Sequence, residues 1–211
     1  MANPQLTGST SVKLTKMKLS YEEFIQKITK YISPDNFPYV VAVAGSSGSG
    51  KTFIAKEIAK QIPDSKFLSM DDYIIEEKIK SNENWDLPEN WNIELLKKHL
   101  IEIHKNNVIE KPNYNFSSNQ EKGKEKFTPS KVIIIEGIYA FYDSLSEFID
   151  LKIFVDADEK IRLKRRIARD IKERGRIKEK VLQKWNATVE PTYLKFVKPQ
   201  MSKADYIVIN N

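Results

Sequence analysis

The feature that most constrains this chain is a glycine-rich segment with regular structure expected on both sides. Residues 45–52 read GSSGSGKT, which matches the phosphate-loop pattern GxxxxGK followed by Ser or Thr at every fixed position. The apolar, β-branched run 39–44 is typical of a buried strand, and residues 53–60 have helical spacing. A strand, a glycine loop and a helix in this order predict a binding site for the phosphates of a nucleoside triphosphate.

The chemistry of such a loop predicts a role for its backbone N–H groups, its lysine and its threonine. Backbone N–H groups point inward at phosphate oxygens, and the start of the helix adds partial positive charge. Lys51 is predicted to reach the β- and γ-phosphates, and Thr52 to offer its hydroxyl to Mg²⁺. A Gly/Ser-rich turn that matches by chance is the alternative, and the flanking segments argue against it. The predicted ATP-binding residues of the loop are Gly45, Ser46, Ser47, Gly48, Ser49, Gly50, Lys51 and Thr52.

Length and composition narrow the class of protein. A chain of 211 residues suits one α/β domain, predicted over 19–211, after a polar and flexible N-terminal segment over 1–18. The absence of cysteine and the presence of only two histidines argue against disulfides, thiol chemistry and zinc. No apolar stretch approaches the roughly 18 residues of a membrane span, and residues 1–11 lack the apolar core of a secretion signal. The expectation is a cytoplasmic protein that does not bind membranes.

Positive charge is concentrated in one segment. The net charge is only +6, but residues 160–184 contain twelve Lys or Arg and three Asp or Glu. A nucleic-acid patch and a solvated helix face are two interpretations. A third is that several arginines meet the phosphates of a bound nucleotide. The phosphate loop favours the third, because a triphosphate needs cationic partners for its transferring group.

The order of predicted elements indicates an α/β fold with a parallel sheet and helices on both of its faces. Segment 76–92 reads as an ordered loop or lid, and segment 110–130 as a loop with a hairpin around Tyr114. His99 and His104 read as plain surface residues. Strands are predicted at 40–44, 66–69, 132–135, 151–155 and 206–209, and helices at 19–32, after the loop to 61, at 92–104, at 158–174 and from about 178.

Acidic residues follow two of the predicted strands. Ligands of open parallel sheets bind at the carboxyl ends of the strands, so Gly45, Asp71 and Glu136 are expected to converge on one site. Glu136 is placed like an acidic residue that supports Mg²⁺, with a turn residue at a strand end as the alternative. Asp71 could accept a hydroxyl proton from a substrate, and Asp72 is its rival for that role.

Further signals separate one kind of nucleotide-binding protein from others. No NKxD guanine reader and no DxxG switch is present, so a GTPase is a poor fit. Arg162, Arg165 or Arg166, and Arg169 share one face of the predicted basic helix, so two or three of them could point into the site.

At this point the residues resemble a known family, the uridine kinase and phosphoribulokinase group of small-molecule kinases, and most closely uridine–cytidine kinases. The resemblance runs from about Val40 to Ile209. Besides the phosphate loop it rests on LSMDDY at 68–73, NWDLP at 84–88, PNYNF at 112–116, IEGI at 135–138, FVDAD at 154–158 and, most specifically, IRLKRRIARDIKERGR at 161–176.

The resemblance implies a P-loop NTPase-type sheet with a helical lid over about 158–180 and a small acceptor-binding insertion. It implies ATP and Mg²⁺ as cofactors, and Asp71 as the base that acts with Lys51 and Arg169. Arg169 and Arg174 match residues that face ATP phosphates, and the implied metal residues are Thr52, Glu136 and Asp71. The implied acceptor-side residues are Asp71, Tyr73, Asp86, Tyr114, Arg166, Arg176 and Lys184.

The chain departs from the family on the side of the pyrimidine base. The family's Tyr-Asp pair is Tyr114-Asn115 here, and the His that reads the pyrimidine is absent from the segment that follows. Lys184 stands where a Gln is usual, next to Gln183. These departures leave the ATP machinery intact and alter the base-reading surface.

Three hypotheses follow for function. The first is transfer of the γ-phosphoryl group of ATP to the 5′-hydroxyl of a nucleoside such as uridine or cytidine. The second is the same transfer to another small hydroxyl compound, such as a sugar phosphate, pantothenate, glycerate or a nicotinamide riboside. The third is a nucleotide-binding regulator or nucleic-acid-binding protein without an acceptor site, against which Asp71 and Asp86 argue. The first predicts a small-molecule acceptor and no nucleic acid; a homo-oligomer is left open.

Overall fold

Six strands form one parallel sheet in the computed structural model, which describes residues 17–32, 37–81, 84–115, 118 and 120–211. The strands of the chain are β1 Met17–Ser20, β2 Tyr39–Gly45, β3 Ser65–Ser69, β4 Ile109–Asn115, β5 Gln120–Phe127, β6 Val132–Glu136, β7 Leu151–Asp156 and β8 Tyr206–Ile209. The sheet has the order β1-β8-β7-β2-β6-β3, which puts the strand before the glycine loop between two parallel neighbours. The predicted parallel α/β sheet is confirmed.

Helices cover both faces of this sheet. The α-helices are α1 Tyr21–Tyr31, α2 Lys51–Gln61, α3 Glu76–Ser81, α4 Ile93–His104, α5 Glu159–Arg174, α6 Lys178–Lys184 and α7 Glu190–Thr192. Short 3₁₀ segments lie at Met70–Tyr73, Pro88–Asn90, Asp143–Phe148 and Lys198–Lys203, and π-helical turns lie at Trp185–Val189 and Tyr193–Val197. No helix in the described part of the chain is both long enough and apolar enough to cross a bilayer.

The alternation of side chains along β2 explains why two cores form. Val41 and Val43 pack with α1 and α2 on one face, whereas Val40, Ala42 and Ala44 pack with α4 on the other. All five are fully buried, which is why this strand reads as a continuous apolar run. The sheet is thus held rigidly between two helical layers, and the loop that follows β2 begins from a fixed point.

The helix starts expected from the sequence are present. The Ser20 hydroxyl accepts the Glu23 N–H, and the Glu23 carboxylate accepts the Ser20 N–H, so both halves of a capping box begin α1. The Asn92 side chain accepts the Leu95 N–H at the start of α4.

Three sequence-based expectations need correction. Met17 and Lys18, assigned to the flexible N-terminal segment, belong to β1 and pair with Tyr206 and Ile207 of β8; residues 1–16 lie outside the described part. Segment 76–92, predicted as a loop, contains the helix α3. His99, predicted as a plain surface residue, is half-buried, and its Nδ1 lies 2.8 Å from the hydroxyl of the buried Tyr73.

The predicted hairpin is a two-stranded antiparallel sheet that stands beside the carboxyl ends of the main sheet. It consists of β4 and β5, with Ile109 opposite Phe127 and Asn115 opposite Gln120. Lys111 of β4 is buried and donates to Asp72, 2.7 Å away, so the hairpin is attached to the turn that follows β3. The hairpin therefore lies over the edge where ligands of such sheets bind.

Candidate active site

The glycine loop follows β2 directly and has the backbone that only glycine adopts easily. Gly48 has φ +81°, and a Cβ at this position would lie 2.2 Å from the backbone oxygen of Arg162 in α5. Gly50 has φ +90° and is the N-cap of α2, whose first residue is Lys51. The loop thus lies in close contact with α5 and presents the N-terminus of α2 to the site. Within the loop, Gly45, Ser46, Ser49 and Lys51 are buried, Ser47, Gly48 and Gly50 are partly buried, and Thr52 is exposed.

Lys51 is paired with the acidic residue that ends β6. Its Nζ lies 3.2 Å from Oε1 of Glu136, and both side chains are buried. Burial raises the pKa of Glu136, the Lys51 ammonium opposes this, and the nearby Asp71 carboxylate adds to it. Glu136 also ends the strand beside β2, since it pairs with Val43. The predicted convergence of the loop with Glu136 is therefore observed.

The two neighbouring aspartates after β3 have different surroundings. The Asp72 carboxylate accepts from Lys111 Nζ at 2.7 Å and from the Tyr114 N–H at 3.4 Å. Burial raises the pKa of Asp72, although the hydrogen bond from Lys111 opposes the shift. Asp71 instead faces a cavity that Lys51 also lines, and within the described residues no side chain pairs with its carboxylate. Asp72 is thus a structural anchor, and Asp71 is the carboxylate available for chemistry.

That cavity, called the P-loop cavity below, brings most of the predicted site residues together. It has a volume of about 60 Å³ and joins the phosphate loop to the residues expected on the acceptor side. Trp85, Trp91 and Ile138 supply apolar walls. The sequence-predicted residues that line it are Ser47, Lys51, Asp71, Asp86, Tyr114, Arg166, Arg169 and Arg174.

Tyr73 does not reach the P-loop cavity. Its side chain is 1% exposed, and its hydroxyl pairs with His99 on α4. Burial raises the pKa of Tyr73 strongly. Tyr73 is therefore not among the residues that line this cavity, and its role beside the acceptor stays a prediction. In the 3₁₀ turn Met70–Tyr73 neighbouring side chains diverge, so Asp71 faces the cavity while Tyr73 packs into the core.

The basic helix α5 contacts the phosphate loop at two side chains. Arg162 donates to the Ser46 hydroxyl at 2.9 Å, and Arg166 donates to the Ser47 hydroxyl at 2.8 Å. Arg162 is also held by both carboxylate oxygens of Glu190, at 2.8 and 3.0 Å. Arg165 points elsewhere and donates to the Asn210 backbone oxygen. Of the arginines on the predicted face, Arg162 therefore supports the loop, and Arg166 and Arg169 line the cavity.

Asp86 lies on the far side of Arg166. One carboxylate oxygen of Asp86 is 3.7 Å from Arg166 Nη1, and its backbone N–H donates to the Asn84 side chain. Burial lowers the pKa of Arg166, while Asp86 and Asp170 oppose the shift. Arg166 thus lies between the phosphate loop and the carboxylate expected to hold acceptor hydroxyls.

A second and larger cavity, called the lid cavity below, adjoins the first. It has a volume of about 410 Å³ and lies between Trp85 and α6. The cations of Arg176 and Lys184 lie over the Trp85 ring, 4.9 and 3.8 Å from its centroid. Burial, reinforced by Arg176, lowers the pKa of Lys184 to about 8. The residues lining this cavity are Trp85, Arg166, Asp170, Gly175, Arg176, Ile177, Lys180, Val181 and Lys184.

The departures from the family fall around these cavities. Lys184 lines the lid cavity, whereas Gln183 is exposed, so the neighbouring glutamine does not replace the usual one in space. Tyr114 is buried at the P-loop cavity, and the Asn115 side chain accepts the Ser118 N–H at the hairpin tip. Residues 116, 117 and 119 of the segment that lacks the histidine lie outside the described residues.

Several residues with a clear structural part in the site were not identified from the sequence. Asp170, Glu190 and Lys111 each hold a predicted site residue or its neighbour, and Trp85 forms the wall shared by both cavities. The acidic Asp170 within a run of arginines was a usable signal. Glu190 and Lys111 gave no such signal, because their partners, Arg162 and Asp72, lie 28 and 39 residues away in sequence.

The residues present fit a nucleoside triphosphate and Mg²⁺. The loop has no room for a Cβ at Gly48, and it presents a helix N-terminus with a buried lysine. Thr52 and Glu136 supply a hydroxyl and a carboxylate beside Lys51, and Asp71 lines the same cavity. Within the described residues no group of three or more acidic, His or Cys side chains forms a closed metal cage. Such a sparse set suits Mg²⁺, which keeps waters and phosphate oxygens as ligands.

Comparison with known proteins gives the same family as the sequence motifs. A family model described as Phosphoribulokinase / Uridine kinase family matches residues 40–210. The chain is 40% identical to the uridine kinase of Ligilactobacillus salivarius (strain UCC118), with 82% of this chain and 86% of that protein covered. It is 35% identical to the uridine kinase of Saccharomyces cerevisiae, covering 98% of this chain and 42% of the yeast protein.

A solved structure shares the fold. A possible uridine kinase from Bacillus stearothermophilus superposes with a TM-score of 0.65 at 20% identity, covering 89% of this chain and 97% of that chain. At this identity the superposition shows the fold alone. Since the family model spans nearly the whole sheet and the site described above, the chain belongs to the phosphoribulokinase / uridine kinase family.

Proposed function

We propose that this protein is an ATP-dependent kinase that transfers the γ-phosphoryl group to the 5′-hydroxyl of a nucleoside of the uridine or cytidine type. The observation that carries the proposal is that one cavity is lined by Ser47 and Lys51 of the phosphate loop, by Asp71 and by Asp86. The residues proposed to bind the donor phosphate, to act as the base and to hold acceptor hydroxyls thus line one cavity. The names of the two relatives support uridine as the acceptor.

The reaction needs positioned phosphates and a base for the acceptor hydroxyl. The 5′-oxygen bonds to the γ-phosphorus, the bond from that phosphorus to the β–γ bridging oxygen breaks, and ADP leaves. Asp71 accepts the proton that the 5′-hydroxyl releases. Lys51 lies at the start of α2 and stabilises the charge that develops on the β- and γ-phosphate oxygens.

Mg²⁺ fits the same site. Thr52, Glu136 and Asp71 are the residues that would hold it. When bound, the ion neutralises charge on the phosphate oxygens of ATP. The contact between Lys51 Nζ and Glu136 Oε1 places the lysine side chain and the carboxylate side by side at the loop.

Different arginines are proposed to contact ATP and the nucleoside. Arg169 and Arg174 line the P-loop cavity and are proposed to contact the ATP phosphates. Arg176 lines the lid cavity, and Arg166 lines both cavities, so this pair is proposed to reach the nucleoside together with Asp86. Helix α5 and the turn at Gly175 would then act as the lid.

A screen of ADP production tests the proposal. Purified protein with Mg²⁺ and ATP is given uridine, cytidine, adenosine, their 2′-deoxy forms and non-nucleoside alcohols, with Lys51→Ala as the blank. Uridine and cytidine are expected to give turnover. A site built to hydrogen-bond a hydroxyl rejects the analogue that lacks it, so each ribonucleoside should exceed its 2′-deoxy form by at least about 10²-fold in kcat/KM.

The matched variant is Asp86→Ala, which should reduce the preference for ribonucleosides because the carboxylate that accepts from the vicinal hydroxyls is gone. Adenosine should be discriminated less than by an enzyme with a pyrimidine-reading histidine. Turnover of a non-nucleoside alcohol without turnover of any nucleoside would refute the proposal.

A further inference from the structure

A single buried carboxylate lies among four arginines of the site. The Asp170 side chain is 1% exposed, and its oxygens lie 2.8 Å from Arg169 Nη2, 3.6 Å from Arg166 Nε and 3.5 Å from both Arg174 Nη1 and Arg176 Nη1. Four guanidinium groups so close together repel one another, and among the ion pairs of the described residues Asp170 is the carboxylate common to all four. Its charge therefore contributes to the position of each of the four, and Arg166 is held in addition by the Ser47 hydroxyl and Asp86.

The four arginines do not face the same cavity. Arg169 and Arg174 line the P-loop cavity, Arg176 lines the lid cavity, and Arg166 lines both. Asp170 itself lines the lid cavity, one residue after Arg169. The carboxylate thus lies at the boundary between the part of the site that faces the phosphate loop and the part that faces Trp85 and α6.

The protonation equilibria reflect this crowding. Burial would raise the pKa of Asp170, but Arg169 and Arg166 outweigh it, so its pKa is lowered and the group stays ionised. Burial, reinforced by Arg169, lowers the pKa of Arg174 to about 10. The cluster therefore carries more positive charge than its single carboxylate balances, and an incoming anion changes how that carboxylate is shared.

We propose that Asp170 is a positioning residue that couples the two substrate sites by acting as the shared counter-ion of the arginines on both sides. The inference rests on the proposed function. When the phosphates of ATP engage Arg169 and Arg174, Asp170 is left to Arg166 and Arg176 and holds them in place for the acceptor. Each substrate then binds more tightly when the other is present, and by linkage the effect is reciprocal.

Calorimetric titration tests this coupling. Uridine is titrated into the protein alone and into the protein saturated with Mg²⁺ and β,γ-imido-ATP, and the ratio of the two Kd values is the coupling factor. For the wild-type chain the factor is expected to be at least about fivefold, and for Asp170→Asn below about twofold. Glu173→Gln removes an exposed carboxylate from the same helix and should keep the wild-type factor.

The outcomes separate this inference from the proposed function. A folded Asp170→Asn protein that keeps the wild-type factor overturns the inference, because a merely structural role would weaken binding without changing the ratio. Uridine that binds the wild-type chain without any coupling also overturns it, while leaving the proposed function standing. Failure of uridine to bind at all overturns the proposed function and this inference with it.

A second variant decides the matter should Asp170→Asn fail to fold. Arg176→Gln frees Asp170 to hold Arg169 and Arg174 away from the phosphates, so β,γ-imido-ATP should bind at least about fivefold more weakly even without uridine. Lys178→Gln removes an exposed cation nearby that makes no contact with Asp170, and corrects for simple loss of charge. Equal effects of the two substitutions on nucleotide affinity overturn the inference.

Discussion

Asp71 and Asp72 are adjacent in the chain, but their partners differ. Asp72 accepts hydrogen bonds from Lys111 and the Tyr114 N–H, so both of its oxygens have partners that attach the hairpin to the turn after β3. Asp71 lines the P-loop cavity with Lys51. A base must reach the proton that it accepts, and among these two carboxylates geometry favours Asp71.

Exchanging each carboxylate for an amide should separate the two roles. Asp71→Asn is expected to lower kcat by at least about 10²-fold with little change in ATP affinity, because an amide cannot accept the proton. Asp72→Asn is expected to cost about 1–3 kcal/mol of unfolding free energy, since Lys111 keeps its pair with Glu125 but loses the charged hydrogen bond to Asp72, and to lower kcat far less. Steady-state kinetics and urea unfolding of both variants give the comparison; the larger kcat loss in Asp72→Asn would reverse the assignment.

The pKa of Lys184 is shifted by its burial and by the cations around it. Burial and Arg176 lower its pKa to about 8, below its unfolded value of about 10.4. Between these two pH values the unfolded chain binds more protons at this residue than the folded chain does. The free energy of unfolding therefore rises as the pH increases from the folded pKa of Lys184 to its unfolded pKa. This gain is fully present above the unfolded pKa and is lost as the pH falls back to the folded pKa.

We expect the wild-type chain to gain stability relative to Lys184→Gln as the pH rises from 7 to 9.5. The difference between the two proteins isolates this residue, since all other titrating groups are shared. Urea unfolding at several pH values measures it, and Lys180→Gln, which removes an exposed cation lining the same cavity, should show no comparable trend. A difference that does not change with pH, or that changes in the opposite direction, contradicts the prediction.

At the scale of elements, the function of the phosphate loop depends on how closely α5 approaches it. A Cβ at Gly48 would meet the backbone oxygen of Arg162, and the Arg162 side chain reaches back to the Ser46 hydroxyl. Glu190, in turn, fixes the Arg162 guanidinium. The phosphate loop, α5 and α7 are therefore one packed unit, held by a backbone contact at Gly48 and by the charge pairing of Arg162 with Glu190.

Gly48→Ala should break this unit. The substitution adds a clash with the Arg162 backbone to the cost of φ +81°, so ATP affinity should fall at least about tenfold and stability by about 1–3 kcal/mol. Gly123→Ala provides the control, because Gly123 has φ +95° but nothing within 4 Å of an added Cβ. It reports the backbone strain alone. Equal losses of ATP affinity in the two variants would show that contact with α5 is unimportant.

Elements whose signals are local could be predicted from the sequence. The caps at Ser20 and Asn92, the apolar run of β2 and the glycine loop each depend on neighbouring residues, and all four are confirmed. The short helix α3 was missed because six polar-rich residues give too little periodicity to recognise. In the active site, the topology predicted that the phosphate loop and Glu136 meet at the strand ends. It did not predict the direction of the Tyr73 side chain.

Pairings across long stretches of chain could not be predicted. The contacts of Lys111 with Asp72 and of Glu190 with Arg162 depend on where the hairpin and the C-terminal helices pack. His99 was assigned to the surface because it falls outside the apolar stripe of α4, and only the packing of Tyr73 against that helix gives it a partner. Resemblance to a family supplied roles for single residues, but not the network of which they are part.

At the scale of the whole molecule, the fold gathers charge of one sign over the edge of a sheet. Helix α5 and the following turn carry most of the basic surplus of residues 160–184, and Asp170 and Glu190 balance only part of it. A polyanion such as Mg²⁺-bound ATP would supply the missing charge, and under the proposed function it would contact both the phosphate loop and α5. Nucleotide binding should therefore stabilise the entire domain.

The size of that stabilisation can be stated, since a ligand that binds only the folded state adds RT ln(1 + [L]/Kd). At one hundred times Kd this is about 2.7 kcal/mol, which for a domain of this length raises Tm by about 5–10 °C. Lys51→Ala should remain folded, because Glu136, whose pKa burial already raises, can take up a proton once the ammonium is gone, but it should lose most of the shift and nearly all turnover. Differential scanning fluorimetry with and without Mg²⁺ and β,γ-imido-ATP measures the shift. Circular dichroism confirms the fold, and a full shift with high turnover in Lys51→Ala would remove this lysine from its assigned role.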